Sequence, residues 1–408
     1  MKIRILLFTA ALLAAAGAAQ DWPEWRGPRR DGSAEGWQEP TSWPERLARK
    51  WQATAGAGHS SPVVAGGHVY LHSRQAEEEV VSCFDLATGK VLWSDRYAAP
   101  YTMNPAATGH GKGPKSTPVA SGGRVFMLGI SGILSCYDAA SGKVVWRNDN
   151  ASEFPVTAPH FGTAMSPVVD RGVLIAHVGG PDRGALRAFE AATGKVRWSW
   201  KGDGPAYASP LVVDLAGVRQ VVTQSQTKIV SVNAATGELL WSVPLLTSYV
   251  QNIVTPVVHR DRVIFSGLDK GVFALRPAPG AGGWTTEKVW ENPEVSFYMS
   301  TPILRGDLLI GLSHKNKGQL VVLDAGTGTK LWAGEGRMGE NAALVSAGSS
   351  VLVLTSVGEL IVARASTKGL QETRRYTVSS AATWAHPVPT ARGILVKDAT
   401  ALTLWGFE

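Results

Sequence analysis

Charged residues and cysteines are scarce in this chain of 408 residues. Asp, Glu, Lys and Arg together make up 18% of the sequence, and there are two cysteines, Cys83 and Cys136. Lys and Arg never occur more than two in succession, so the basic tracts typical of nucleic-acid-binding proteins are missing. No apolar stretch beyond the N-terminal region approaches 18 residues, and we therefore predict no transmembrane span.

A phosphate-binding loop is also missing, although residues 107–118 (ATGHGKGPKSTP) have its composition. A P-loop requires Gly, four residues, then Gly-Lys-Ser/Thr. Counting from Gly109, the second glycine is replaced by Pro114. Proline has no N–H to donate to a phosphate, which excludes a P-loop nucleotide site here.

The first 19 residues have the pattern of a secretory signal peptide. Lys2 and Arg4 precede residues 5–16, which are apolar except for Thr9, and small residues suited to cleavage follow. No cysteine lies near the cleavage point, so no lipid anchor is expected. The sequence predicts an exported protein, periplasmic or secreted; a retained N-terminal anchor is the alternative.

Glycine, proline and tryptophan are abundant, with 45, 23 and 15 residues, and this composition favours β-structure with many turns. One motif ends in Thr/Ser-Gly-x-x-x-Trp, where the glycine supplies the positive φ of a tight hairpin turn. Its copies are LATGKVLW (86–93), AASGKVVW (139–146), AATGKVRW (191–198), AATGELLW (234–241) and AGTGTKLW (325–332).

A second motif is Ser/Thr-Pro followed by an apolar pair, a turn and an alternating strand. The hydroxyl residues are Ser61, Thr117, Ser166, Ser209, Thr255 and Thr301, and degenerate copies begin at Asn341 and Trp384. Eight copies about 45 residues apart, each with four strands, predict an all-β, eight-bladed β-propeller.

The last copy has only three strands, and residues 47–56 (LARKWQATAG) supply a matching strand with Trp51. We therefore expect an N-terminal strand to complete the last blade and remove the open sheet edge. The predicted organisation is a signal peptide (1–19), an N-terminal extension (20–46) that packs along the outside or across a channel end, and the propeller (47–408). The seventh copy lacks the tryptophan and has Tyr376 nearby.

These repeats resemble the quinoprotein (PQQ)-like eight-bladed propeller family, whose outer strands carry a Gly-x-x-x-Trp docking motif. Residues 21–32 (DWPEWRGPRRDG) are also similar to the start of secreted members. The resemblance identifies as docking residues Trp51, Trp93, Trp146, Trp198, Trp241, Trp290 and Trp332. The family includes BamB-like secreted propellers, which are scaffolds, and dehydrogenases that use PQQ with calcium.

The resemblance implies that alcohol-oxidising members hold PQQ against a disulfide of adjacent cysteines, and this chain has no Cys-Cys pair. We therefore expect a non-catalytic, monomeric scaffold without cofactor, binding an envelope or secreted protein or an extended polymer. One alternative is a PQQ-dependent dehydrogenase oxidising alcohols or sugars, and another is a polyanion- or carbohydrate-binding module. Cys83 and Cys136 occupy equivalent places in neighbouring blades, too far apart for a disulfide, so two buried thiols are expected.

The irregular loops, including 97–115, should lie on the face opposite the Thr-Gly turns, where binding residues are usually placed. No catalytic or metal site is predicted, because the histidines are spread around a ring. The predicted ligand- or partner-binding residues are His59, His110, Lys112, Lys115, His160, Arg183, Lys270, Lys315, Lys317 and His386. A solvated face without a ligand is the alternative.

Overall fold

The structure is a computed structural model that describes residues 21–407, and the predicted signal peptide lies outside the described residues. Two strands precede the first complete blade, β1 (Ser33–Ala34) and β2 (Ala48–Thr54). Eight antiparallel sheets follow one another as blades, which confirms the predicted eight-bladed propeller. Among the described residues, no helix is long and apolar enough to cross a membrane.

Blades 1 to 4 are four-stranded, with the first strand innermost and the fourth outermost. Blade 1 consists of β3 (Val63–Ala65), β4 (His68–Gln75), β5 (Glu78–Asp85) and β6 (Val91–Ala98). Blade 2 consists of β7 (Val119–Ser121), β8 (Arg124–Leu128), β9 (Leu134–Asp138) and β10 (Val144–Asn148). Blade 3 consists of β11 (Val168–Asp170), β12 (Val173–Gly180), β13 (Arg183–Glu190) and β14 (Val196–Trp200). Blade 4 consists of β15 (Leu211–Leu215), β16 (Val218–Gln224), β17 (Lys228–Asn233) and β18 (Leu239–Pro244).

Blades 5 to 8 complete the ring. Blade 5 consists of β19 (Val257–His259), β20 (Arg262–Ser266), β21 (Val272–Gly280) and β22 (Gly283–Asn292). Blade 6 consists of β23 (Ile303–Arg305), β24 (Leu308–Ser313), β25 (Gln319–Asp324) and β26 (Lys330–Ala333). Blade 7 consists of β27 (Ala342–Ala347), β28 (Ser350–Thr355), β29 (Glu359–Ser366) and β30 (Gly369–Thr377). Blade 8 consists of β31 (Val388–Thr390), β32 (Gly393–Lys397) and β33 (Ala401–Gly406), completed by β2.

The closure of the ring is the one predicted from the sequence. β2 pairs antiparallel with β33, placing Trp51 opposite Leu404 on the outer edge of blade 8. The first and last blades are therefore joined, and the ring has no gap at the chain ends. β1 adds a fifth strand to blade 7 by pairing parallel with β27, a contact that the repeat pattern does not indicate.

The two faces of the propeller are built from different connections. The turn face carries the Thr-Gly turns and the turns between first and second strands. The loop face carries the loops between blades and the turns between second and third strands. Three short 3-10 helices lie on the loop face, at Pro105–His110, Ser248–Val250 and Lys315–Lys317.

Seven of the eight outer strands have a register shift just before the docking tryptophan. The bulge bends the strand and places the indole on the Thr-Gly turn of the next blade. Trp93 of blade 1, for example, donates to the carbonyl of Ala139 at 3.0 Å and packs on Gly142 of blade 2. The same bond is made by Trp51, Trp146, Trp198 and Trp290.

In three blades the outer-strand side chain makes a different contact, because the Gly-x-x-x-Trp motif of that blade or of the next is incomplete. Trp241 donates to Gln220 within its own blade, because the longer β21–β22 hairpin replaces the Thr-Gly turn of blade 5. Trp332 packs on Gly369 of blade 7. In blade 7 Arg374 stands at the tryptophan position, and Tyr376, two residues later, donates to the carbonyl of Pro44 at 2.6 Å.

The Ser/Thr-Pro motif ties the inner strands together around the channel. The hydroxyl of one blade accepts a hydrogen bond from the backbone N–H of the preceding blade, as in Ser61 N–H to Thr117 Oγ1 at 3.2 Å and Thr117 N–H to Ser166 Oγ at 2.9 Å. Blade 8 joins the series, because His386 N–H donates to Ser61 Oγ at 2.8 Å. The hydroxyls therefore satisfy backbone donors that face the next blade.

Residues 21–37 cross the channel at the turn face. Trp22 forms a bridge with Val64 in blade 1, and Trp37 donates to the carbonyl of Thr390 in blade 8 at 3.0 Å. Trp22 and Trp37 also belong to the hydrophobic cluster that joins blades 1, 7 and 8. The extension therefore packs across a channel end, and Trp43 continues along Tyr376 on the outside of blade 7.

Two buried arginines extend this plug to the level of the Ser/Thr-Pro motif. Arg26 donates to the carbonyls of Thr301 at 2.9 Å and Pro302 at 2.6 Å in blade 6. Arg30 donates at 3.0 Å to the carbonyls of Ser166 and Pro167 in blade 3 and is paired with partly buried Glu24. Guanidinium groups suit this position because their several N–H donors can satisfy carbonyls of different strands.

Cys83 and Cys136 are free and fully buried, which confirms the expected thiols. Burial raises the pKa of each thiol to about 12, so both remain protonated and unreactive at neutral pH. Both side chains lie in the interfaces between neighbouring blades.

We predict that Gly142→Ala destabilises the protein by about 3 kcal/mol, because the left-handed backbone at φ 72° and an overpacked indole both oppose the added methyl group. A Cβ at Gly142 would lie 2.5 Å from Cδ2 of Trp93. Gly122 in the same blade also has a positive φ, 58°, but nothing within 4 Å. Gly122→Ala should therefore cost only about 1 kcal/mol. Equal losses in denaturant-unfolding free energy would show that docking contributes nothing.

Candidate functional site

One position of the repeat, two residues before the Ser/Thr-Pro hydroxyl, lies at the entrance of the channel on the loop face. The two residues that follow it are buried in all eight blades, whereas this position is partly or fully exposed in seven. The eight residues at this position, here called the mouth ring, are His59, Lys115, Ala164, Tyr207, Ile253, Met299, Glu340 and Trp384.

Predicted residues His59 and His110 meet at this entrance, against Trp384. The ring centroids of His110 and Trp384 are 4.9 Å apart, and those of His59 and Trp384 are 5.3 Å apart. His59 donates from Nε2 to the His110 carbonyl at 2.9 Å. Loop 97–115 must therefore reach past blade 1 to blade 8, which accounts for its length.

Burial and nearby cations keep His59 neutral. Desolvation lowers the pKa of His59 to about 3, and the charges of Lys115, His110 and Lys397 act in the same direction. Burial also lowers the pKa of His110, with Lys115 contributing and the Glu340 carboxylate opposing the shift. The entrance therefore carries lysine charge rather than histidine charge at neutral pH.

Lys397 is buried and Lys115 is partly buried, and both lie in this region. Lys397 donates to the carbonyls of Gly58 at 2.9 Å and Asp398 at 2.7 Å. Lys115 donates to the Phe161 carbonyl at 2.7 Å. Burial lowers the pKa of both ammonium groups to about 8, and within residues 21–407 neither forms a salt bridge with a carboxylate.

Aromatic side chains from three loops surround the Lys115 contact. The hydroxyl of Tyr207 accepts a hydrogen bond from the Phe161 N–H at 3.3 Å, and their ring centroids are 6.0 Å apart. The hydroxyl of Tyr101 lies 3.0 Å from the position that a Cβ on Gly162 would take. Lys115, Tyr101 and Tyr207 are therefore gathered around one short segment, residues 161–162.

Trp25 forms the floor of the entrance. Its indole donates to Thr255 Oγ1 in blade 5 at 3.1 Å, and its ring packs edge-on against His386 in blade 8 with centroids 4.6 Å apart. Blades 5 and 8 are three positions apart around the ring of eight, so the indole lies across part of the channel. The entrance is consequently a depression closed from below by the N-terminal extension.

The remaining predicted residues are spread more widely. His386 lies beneath the mouth ring, 5% exposed, and is not available to a ligand on the face. His160, Arg183, Lys270 and Lys317 are exposed on outlying loops. Lys112 pairs with Glu77 and Lys315 with Asp269, which compensates part of the positive charge expected on this face.

Sequence reasoning missed the aromatic members of the entrance and Glu340. Tyr207 and Trp384 stand in register with His59 and Lys115, so an alignment of the eight repeats on the Ser/Thr-Pro residue would have found them. Tyr101 and Phe161 lie in irregular loops, where no repeat position marks them.

The residues of the channel do not provide a site for PQQ with calcium. Calcium requires several oxygen ligands, and within residues 21–407 no group of three or more His, Cys, Asp and Glu could hold a metal ion. Trp25 and Arg26 occupy the channel at the level of the Ser/Thr-Pro motif, where Arg26 is already bonded to carbonyls. The quinone–calcium pair does not fit this arrangement.

A family profile described as "Outer membrane protein assembly factor BamB" matches residues 41–95, 76–333 and 285–401. These matches cover most of the chain. The chain belongs to this family of PQQ-like β-propellers. The family assignment agrees with the repeat motifs and with the eight blades.

Curated members of the BamB family are similar over part of the chain. BamB from Shewanella oneidensis is 26% identical over 243 residues, which are 56% of this chain and 59% of that protein. The dehydrogenase subunit of a quinone alcohol dehydrogenase from Acetobacter aceti is 26% identical over 300 residues, 66% of this chain and 38% of that protein. The chain spans about half the length of the curated BamB relatives it matches.

Solved structures of BamB and of a quinoprotein dehydrogenase both share the fold of this chain. BamB from Moraxella catarrhalis has a TM-score of 0.62 at 16% identity, covering 88% of this chain and 100% of that chain. Quinohemoprotein alcohol dehydrogenase from Comamonas testosteroni has a TM-score of 0.70 at 14% identity, covering 96% of this chain and 81% of that chain. Backbone similarity therefore does not separate a scaffold from an enzyme in this fold.

We predict that folding stability falls between pH 7 and pH 5, because buried His386 cannot take up a proton in the folded state. Burial, with Arg26 contributing, lowers its pKa to about 3. The unfolded chain binds this proton near pH 6.5, so the stabilisation is present above that pH and is lost on acidification. His386→Gln should reduce the loss at pH 5 by about 2 kcal/mol.

The measurement is the free energy of unfolding in urea at pH 7, 6 and 5. The same exchange at exposed His160 is the control for loss of an imidazole. An unchanged pH dependence in His386→Gln would contradict the role given to burial.

Proposed function

We propose that this protein is an exported, non-catalytic scaffold that binds an envelope protein through its loop face and takes part in outer-membrane protein assembly. Membership of the BamB family supports this proposal, as do the relatives named for that process. Such a role places the protein in the periplasm, in agreement with the signal peptide expected from the sequence.

The observation that carries the proposal is a set of apolar side chains exposed on loops of one face. They are Val156 (52% exposed), Leu246 (62%), Tyr249 (78%) and Val357 (63%). All four lie on the loop face, where the connections are irregular. Exposed apolar side chains on irregular loops of a rigid scaffold can contact a partner protein. Other exposed apolar side chains, such as Val91 and Val144, lie on the regular outer strands.

The loop that carries two of these residues also has an unusual backbone. Tyr249 and Val250 have φ values of 56° and 58°. A positive φ is costly for a residue with a Cβ and especially for β-branched valine. The surrounding structure thus holds Tyr249 outward at a cost, as expected for a residue whose presentation matters to binding.

The two alternatives have less support. The dehydrogenase alternative rests on similar enzymes, but the channel residues do not fit the quinone–calcium pair. A polyanion-binding module needs uncompensated positive charge. Lys112 and Lys315 are ion-paired, and Glu340 adds negative charge at the channel entrance.

We predict that a photo-crosslinking amino acid at Tyr249 captures an envelope protein in producing cells, because this side chain would lie in the interface. Leu246→Asp in the same chain should remove the crosslink, since it places a charge in the apolar contact. The measurement is mass-spectrometric identification of the crosslinked partner.

A matched position on the opposite side of the fold controls for random encounter. Val144 is 45% exposed on the outer strand of blade 2, near the turn face. The same amino acid there should give no such product. Capture of the partner from Val144 and not from Tyr249 would show that another surface is used.

A further inference from the structure

The charged and imidazole-bearing members of the mouth ring lie in one half of it, and the other half is apolar except for the Tyr207 hydroxyl. Ala164, Tyr207, Ile253 and Met299 come from consecutive blade junctions, and Glu340, Trp384, His59 and Lys115 complete the ring. The division is not a consequence of the fold, because all eight residues occupy one position of the same repeat. A molecule seated in the entrance would meet apolar surface on one side and charge on the other.

Lys115 is an ammonium group with unused donors. Within residues 21–407 its Nζ donates one hydrogen bond, to the Phe161 carbonyl. An ammonium group can donate three hydrogen bonds, so two N–H donors are left for a ligand. Lys115 and Lys397 both act on His59, and Lys115 and Glu340 both act on His110; burial keeps these two histidines neutral at pH 7. A partly buried cation without a carboxylate partner is costly, and an anion would offset that cost.

Two phenol groups add donors at the same place. The Tyr101 hydroxyl is buried and has no hydrogen-bond partner within the described residues. The Tyr207 hydroxyl accepts from Phe161 N–H, which leaves its own proton free to donate. Burial raises the pKa of both phenols, so they remain protonated donors. An ammonium group and two phenol O–H groups lie around residues 161–162, and these are the donor types that bind the oxygens of a carboxylate.

We propose that Lys115, Tyr101 and Tyr207 bind the carboxylate of a small monocarboxylic acid whose apolar body rests on Phe161 and the apolar half of the mouth ring. This ligand site is separate from the partner surface around Tyr249 and does not rest on the scaffold function. Trp25, as the floor, sets the depth to which the acid can enter.

The charges around the site select a single negative charge. Lys115 is the one ring member that is positive at pH 7, and Glu340 is a ring member that repels a second carboxylate. Lys397 is turned to the carbonyls of Gly58 and Asp398. A dicarboxylate or polyphosphate would therefore bind more weakly, because its additional negative charge would lie next to Glu340 without a cationic partner.

The probe is 3-phenylpropanoate, with its uncharged amide as the matched control ligand, titrated by calorimetry and by ligand-observed NMR on the full exported chain. We expect the acid to bind with a dissociation constant near or below about 1 mM and the amide at least about tenfold more weakly. Affinity for the acid should fall between pH 7 and pH 9.5, because Lys115 loses its charge as pH rises through about 8.

Tyr101→Phe separates binding from folding. The variant removes a hydroxyl that has no partner in the free protein, so its melting temperature should stay equal or rise. Its affinity for the acid should fall about fivefold to tenfold, because the carboxylate loses a donor. Tyr249→Phe, on the same face but outside the entrance, is the control and should leave affinity unchanged.

Lys115→Gln should weaken acid binding at least about tenfold and abolish its pH dependence, whereas Lys270→Gln on an outlying loop should do neither. Glu340→Gln should strengthen it about twofold to fivefold by removing like-charge repulsion. The proposal would be overturned by equal affinities for the acid and the amide, or by the absence of acid binding at about 10 mM acid. Unchanged affinity for the acid in Tyr101→Phe and Lys115→Gln would also overturn it.

Discussion

The contact between an outer-strand aromatic residue and the Thr-Gly turn of the next blade is the interaction on which the rest of this structure depends. An isolated four-stranded sheet leaves both faces and an outer edge in water, and the hydrophobic clusters here lie between neighbouring blades. The indole fixes the distance and rotation between blades at the periphery. The hydroxyl series that begins at Ser61 and Thr117 does the same near the axis.

The fold could be predicted from the sequence because these contacts repeat. Trp93 and Gly142 recur with fixed spacing, so the number of blades and the closing strand at Trp51 follow from the pattern. The plug could not be predicted, because its contacts do not repeat along the sequence. Trp25 contacts blades 5 and 8 and Arg26 contacts blade 6, and neither of these two residues has a counterpart in the repeats. The entrance was predicted in part: His59, His110 and Lys115 were found, but the pattern gives no weight to loop residues such as Tyr101.

The repeat also explains why the mouth ring can vary freely. The backbone around it is held by the Ser/Thr-Pro residues that follow, through N–H and hydroxyl groups that do not involve the ring side chains. His59, Ile253 and Glu340 can therefore occupy equivalent positions without disturbing the strands. A propeller built in this way fixes eight side chains around one axis and leaves their chemistry open.

The N-terminal extension determines what this particular propeller can do with that arrangement. In a channel open along its axis, a large planar cofactor could sit between the inner strands. Here Trp25 lies across the channel and Arg26 is fixed to carbonyls of blade 6, so these side chains fill the space between the inner strands at that level. Binding at the entrance and binding at the loops around Tyr249 then lie on the same side, and the turn face is left to the plug. The segment that precedes the repeats thus determines how far into the channel of this propeller a ligand can enter from the loop face.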